Sequence, residues 1–194
     1  VISIFPGSRH GEIKRHLKKI LFFLKSYKLK DNYKFIIVAV DTKYNLIVDI
    51  VSKFKHSLDI NIIKSSDNKN KVFVQSYAAI AVSGTITLEL AVSLVPMIVV
   101  YQLNLFSFLI LKLMVKVKYI SLINIILSLN LVPELIQRDF NRNKFYKNLD
   151  HLLNCKKTYN KQISYFKKGR TLLLSSKDKP SSYASKLLRK ILLS

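Results

Sequence analysis

Ala78-Ala79-Ile80-Ala81-Val82 runs directly into Ser83-Gly84-Thr85, and that into Ile86-Thr87-Leu88-Glu89-Leu90-Ala91-Val92. The first five residues form an uninterrupted apolar run of strand length, as a strand covered on both faces requires. Leu88, Leu90, Ala91, Val92 and Leu94 then read as one packed helix. A strand, a small-residue turn and a helix leave unpaired backbone N–H groups at the helix start, where the helix dipole also favours an anion. Gly84 lets the backbone approach a ligand closely, and the hydroxyls of Ser83, Thr85 and Thr87 can add donors. Glu89, about one turn on, places an acceptor at the same mouth that suits the paired hydroxyls of a ribose. On this stretch alone, a capped helix whose Ser and Thr residues serve only the helix is the simpler account.

The layout recurs at the start of the chain. Val1 to Phe5 reads as a buried strand, Pro6-Gly7-Ser8-Arg9 as a turn, and Ile13, Leu17, Ile20, Leu21 and Leu24 as the apolar stripe of a helix. Here the turn carries a guanidinium, Arg9, which suits bidentate contact with a diphosphate and equally serves as a surface charge. Glu12 falls in the first helical turn, where a negative side chain is favoured.

Between the two turns, Tyr33 to Val40 and Ile60 to Ile63 read as strands, and Pro96 to Tyr101 as a fifth. Asp41-Thr42 reads as the cap of a helix from Lys43 to Lys55, Ser65 to Lys71 as a polar loop, and Val72 to Tyr77 as a short helix. This alternation predicts an α/β, Rossmann-like parallel sheet with helices on both faces. Such sheets bind ligands at the carboxyl ends of their strands, where both turns lie. Two phosphate-compatible turns on one sheet edge make a nucleotide the expected ligand.

Beyond the fifth strand, Leu105 to Val117 is strongly apolar and edged by Lys112, Lys116 and Lys118. It reads either as a core helix or as an interfacial helix drawn to an anionic lipid surface. Asn124, polar within an apolar stretch, either satisfies backbone groups or points its amide at a ligand. From Asn141 the composition turns to lysine-rich amphipathic helices, with a polar hinge at Ser175 to Ser182 and a last helix from Tyr183 to Leu193.

The chain carries 33 Lys and Arg against 11 Asp and Glu, a formal net charge of +22. That favours polyanions, but the lysines are scattered, with no Arg-rich run and no nucleic-acid module signature. No nucleic-acid partner is expected. One cysteine, Cys155, excludes a disulfide framework within the chain, and His10, His16, His56 and His151 have no metal-ligand spacing. A reducing, cytoplasmic compartment fits. Between Ile86 and Val115, Glu89, Pro96, Gln102 and Asn104 interrupt the apolar run, so no transmembrane helix is expected. The chain opens in a strand without Met, as a piece of a longer protein would.

Five blocks stand in one order: Pro6-Gly7-Ser8-Arg9 with Glu12-Ile13, Ser83-Gly84-Thr85 with Leu88-Glu89, Pro96 to Val99 with Tyr101, Val117 to Leu122 with Asn124, and Val132-Pro133-Glu134-Leu135 with Gln137. The series resembles the C-terminal half of the lipid-A-disaccharide synthases, across essentially the whole chain. The resemblance implies the nucleotide-binding half of a GT-B glycosyltransferase, with residues 1–140 as the Rossmann-like domain and 141–194 as a helical segment that packs back or is swapped in a dimer. The N-terminal domain would be absent from this chain.

The implied reaction moves 2,3-diacylglucosamine from its UDP derivative to 2,3-diacylglucosamine 1-phosphate, giving lipid A disaccharide phosphate and UDP. It also implies peripheral association with the inner membrane and a homodimer. Carried over by position, Arg9 and the N–H groups around Gly7, Ser8, Ser83, Gly84 and Thr85 would meet the diphosphate, Glu89 the ribose, and Asn124 the active cleft. The family usually has Pro where Ile123 stands and a Gly-Arg-like pair at Ser128-Leu129.

A departing UDP develops charge on its phosphate, which fixed cations and N–H dipoles stabilise. No DxD-type carboxylate pair is present to hold a metal, and no cofactor is expected, the UDP-sugar being a substrate. Glu12, Glu134 and Asp139 read as structural, so the general base is expected on the missing half, and the isolated chain should bind nucleotide weakly and turn over nothing. The rival readings are a basic α/β module that holds RNA or an anionic membrane, and half of a UDP-sugar epimerase.

Overall fold

The computed structural model describes residues 1–103 and 118–174. The expectations for Leu105–Val117, the hinge at Ser175–Ser182 and the helix at Tyr183–Leu193 lie outside the described residues. Six strands, β1 (Ile2–Phe5), β2 (Phe35–Ala39), β3 (Ile60–Lys64), β4 (Ala78–Val82), β5 (Met97–Tyr101) and β6 (Glu134–Ile136), form one sheet in the order β3-β2-β1-β4-β5-β6. Every neighbouring pair is parallel, with Ile4 of β1 opposite both Ile37 of β2 and Ile80 of β4. Among the described residues the α-helices are α1 (His10–Lys25), α2 (Tyr44–Ser52), α3 (Ser65–Gln75), α4 (Ile86–Val92), α5 (Leu122–Leu127), α6 (Arg142–Asn154) and α7 (Lys156–Leu174).

The alternation of side chains along each strand sorts the core into two layers. Ile2, Ile4, Phe35, Ile37, Ile80, Ile98 and Val100 pack with Ile13, Leu17 and Leu21 of α1, Ile47 of α2, and Phe145 and Leu149 of α6. Phe5, Ile36, Val38, Ala79, Ala81, Met97 and Val99 pack on the opposite face with Val72 and Phe73 of α3, Leu90 of α4, Ile123 of α5 and Phe166 of α7. The expected α/β, Rossmann-like sheet with helices on both faces is what the chain forms.

Two side chains tie the ends of β5 to helices. At its start, Gln162 of α7 accepts the Met97 N–H at 2.9 Å and donates to the Met97 carbonyl at 3.1 Å, taking the place of a neighbouring strand. At its exit, His16 of α1 is fully buried, and its Nε2 accepts the Gln102 N–H at 2.8 Å. The His16 Nδ1 sits 2.7 Å from the Glu12 carbonyl, so Nδ1 carries the proton. Burial holds the imidazole pKa below its ordinary value.

Three local expectations change. Asp41 does not cap α2, whose first turn has no side-chain cap; its carboxylate accepts the Ser66 N–H at 3.2 Å and anchors the start of α3. Ser65 to Lys71 is helical rather than a loop, broken at Asn68. The sixth strand, β6, was not expected, because three residues behind Pro133 carry no alternation to recognise.

Candidate functional site

In a parallel sheet of this order, the crevice opens where successive connections leave in opposite directions, between β1 and β4. Both turns identified in the sequence sit there. A cavity of about 210 Å³ lies at the carboxyl ends of β1, β2 and β4, and Gly7, Ser8, Ser83, Gly84, Thr85 and Glu89 all line it. Glu12, Ser65 and Lys69 complete its polar wall, and Phe5, Val38, Val40 and Val82 its apolar floor.

The two glycines do different things. Gly7 has φ +96°, a conformation that strains any side chain, and a Cβ there would stand 3.2 Å from Glu12 Oε2, so the carboxylate would have to give by a few tenths of an ångström. Gly84 has φ +153°, and a Cβ there would meet nothing within 4 Å, because the position faces open space. The hydroxyls divide similarly. Ser83 donates to the Ile120 carbonyl at 2.8 Å and Thr87, fully buried, to the Gly84 carbonyl at 2.9 Å. Thr85 is exposed beside them. Two of the three expected hydroxyl donors therefore already hold the turn, and Thr85 is the one presented outward.

Each carboxylate of the cavity meets a cation. Glu12 accepts from Arg9 at 3.1 Å, and Glu89 pairs with Lys69. The Arg9 side chain is 81% exposed and does not line the cavity, though its backbone caps α1 directly beside Ser8. An exposed pair of this kind contributes only about 0–1 kcal/mol, so little opposes a swing of the guanidinium toward an anion in the cavity.

Asn124 does not reach the cleft where the resemblance places it. It is fully buried and lies outside the cavity lining. Its amide donates to the Val132 carbonyl and to Glu134 Oε1, both at 2.8 Å, while its Oδ1 accepts from the Leu131 and Val132 N–H groups. All four hydrogen-bonding positions are filled inside the protein, so the side chain braces the loop entering β6 instead of facing the cleft. Glu134 belongs to the same brace, accepting from the Ile120 and Ser121 N–H groups and the Ser121 hydroxyl.

A family model described as lipid-A-disaccharide synthetase matches residues 1–188. The chain belongs to that family. Among its relatives, a lipid-A-disaccharide synthase of Rickettsia akari (strain Hartford) is 35% identical over 191 residues, covering 97% of this chain and 48% of the relative. One from Rickettsia bellii (strain OSU 85-389) is 37% identical over 191 residues, again 97% of this chain and 49% of the relative. The chain thus spans about half the length of the family members it matches.

Two solved structures share the fold. Staphylococcus aureus MnaA, in a co-structure with UDP, superposes with a TM-score of 0.55 at 15% identity, covering 84% of this chain and 40% of that one. WaaG, a glycosyltransferase involved in lipopolysaccharide biosynthesis, gives 0.53 at 11% identity, with coverages of 96% and 46%. The chain has the Rossmann-like architecture expected for one half of a GT-B glycosyltransferase. Among the described residues no helix is long and apolar enough to cross a membrane.

Sequence reasoning missed Lys69 and assigned Glu12 to the helix alone. The signals were present: Arg9 and Glu12 stand one helical turn apart, and Asn68 with Lys71 has the spacing of a helix cap.

Proposed function

We propose that this chain is the donor-nucleotide half of an enzyme that transfers 2,3-diacylglucosamine from its UDP derivative to 2,3-diacylglucosamine 1-phosphate. The products are lipid A disaccharide phosphate and UDP. The observation that carries the reading is the convergence of both glycine turns on one cavity at the β1/β4 crevice, in a member of the lipid-A-disaccharide synthetase family.

In this reading the diphosphate lies against the N–H groups of the Gly7–Ser8 and Ser83–Thr85 turns, and Arg9 leaves Glu12 to meet it. Glu89 accepts from the ribose hydroxyls. As the glycosidic bond to the donor phosphate breaks, negative charge grows on the departing UDP. A guanidinium and fixed N–H dipoles then stabilise the transition state more than the bound donor. At about 210 Å³ the cavity is smaller than the usual complete ligand site of roughly 300–1,000 Å³, as one wall of an interdomain cleft would be. The other wall, the acceptor site and the general base belong to the half not contained in this chain. Association with the inner-membrane face and a homodimer are part of the same proposal.

Calorimetric titration of the 194-residue chain with UDP tests the reading. Saturable binding that weakens about 10- to 100-fold in Arg9→Ala supports it, the span expected for charge-assisted hydrogen bonds. Absence of saturable binding, or an unaffected Arg9→Ala variant, overturns it. Salt-dependent RNA binding indifferent to UDP would mark a basic binding module instead.

A further inference from the structure

One cation lining the cavity has no task in the mechanism above. Lys69 Nζ meets Glu89 Oε2 at 2.5 Å across the cavity wall, from α3 to α4. The backbone that carries Lys69 is held at three points. Asn68 breaks the helix (φ 178°, ψ 65°) and its Oδ1 accepts the Lys71 N–H at 3.1 Å, so it caps the turn that starts at Lys69. Asp41 fixes the preceding turn through the Ser66 N–H. Phe73, one turn beyond Lys69, is buried with its ring centroid 5.7 Å from that of Phe5. The ammonium is thus delivered to Glu89 from a fixed wall.

The contact has a chemical consequence for the carboxylate. A free glutamate side chain samples several rotamers, and ordering it when a ligand arrives costs binding energy. An ammonium offers donors only, and here it takes Oε2, leaving Oε1 to accept from something else. We infer that Lys69 is a positioning residue that fixes the Glu89 carboxylate to accept the ribose 2′- and 3′-hydroxyls, making the site selective for ribonucleotides. The inference rests on the nucleotide reading of the same cavity.

Titrations of the 194-residue chain with UDP and with 2′-deoxyuridine 5′-diphosphate test it, in the unaltered protein and in Lys69→Met, Lys69→Arg and Glu89→Gln. The unaltered chain prefers UDP by about tenfold, the value of a hydrogen bond to a charged acceptor. Lys69→Met reduces that preference to about threefold or less by weakening UDP while sparing the deoxy ligand, and Lys69→Arg restores most of it. Glu89→Gln, whose amide oxygen still accepts but without charge, lowers the preference to about threefold or less, and adding Lys69→Met to it changes little further, because the two side chains act as one unit. Both positions are partly exposed, and matched circular dichroism and unfolding midpoints establish that the variants fold.

An unmoved UDP preference in Lys69→Met overturns the inference. So does equal weakening of both ligands, which would place the ammonium on the phosphates. UDP binding that Arg9→Ala weakens, beside an unmoved preference in Lys69→Met, removes this inference and leaves the nucleotide site standing. No UDP binding at all removes both.

Discussion

Asn124→Ala separates a brace from a catalytic group. The substitution strands the Leu131 and Val132 N–H groups and the Val132 carbonyl, while Glu134 Oε1 keeps its contacts with Ser121. Each buried polar group left without a partner costs about 1–3 kcal/mol. Relaxation of the loop and entry of water recover part of the sum of three. A loss of about 3–4 kcal/mol is expected, near the upper end for a single substitution. The chain holds no Trp, so urea unfolding is followed by far-ultraviolet circular dichroism. With a slope of about 1–3 kcal/mol per molar urea, the midpoint falls by roughly 1–4 M. Asn124→Asp keeps the acceptor but sets a second carboxyl against Glu134. The folded state then holds the new proton more tightly than the unfolded one, so the deficit is smallest in acid and widens as pH rises. An Asn124→Ala variant that unfolds at the unaltered midpoint yet loses UDP would refute the reasoning and return the amide to the cleft.

Two further substitutions probe the scaffold of the site. Gly7→Ala forces a side chain into φ +96° and pushes Glu12 aside, and should lower stability by about 1–3 kcal/mol in the same unfolding assay. His16 gives the pH dependence: its folded pKa lies below the ordinary 6.5, so the unfolded chain binds the proton more tightly. Its contribution is therefore complete above pH 6.5 and is lost as pH falls through the folded value; His16→Gln should flatten the stability profile over that window.

The parts of the fold that were legible in the sequence are those where burial on two faces leaves a continuous apolar run. β1, β2, β4 and β5 are of that kind, and with the stripe of α1 they determine a parallel sheet. The turns were legible because glycine, serine and threonine at the junction of strand and helix have few other uses there. What escaped depends on contacts distant in sequence. Asp41 looks like a local cap until Ser66 is brought beside it, and Lys69 looks like one solvated lysine among many until α4 supplies Glu89. Asn124 had two readings in the sequence, and only the arrival of Leu131, Val132 and Glu134 selects the first.

The chain contains four glycines, which makes a direct measurement possible. In a sample labelled with ¹⁵N-glycine alone, Gly7 and Gly84 report the two turns, and Gly169, on α7, reports the body of the domain. Titrated with UDP, the Gly7 and Gly84 amide resonances should move together along one saturation curve with a single Kd, while Gly169 stays in place. Movement of only one turn, or of the two with different Kd values, would contradict a shared nucleotide pocket.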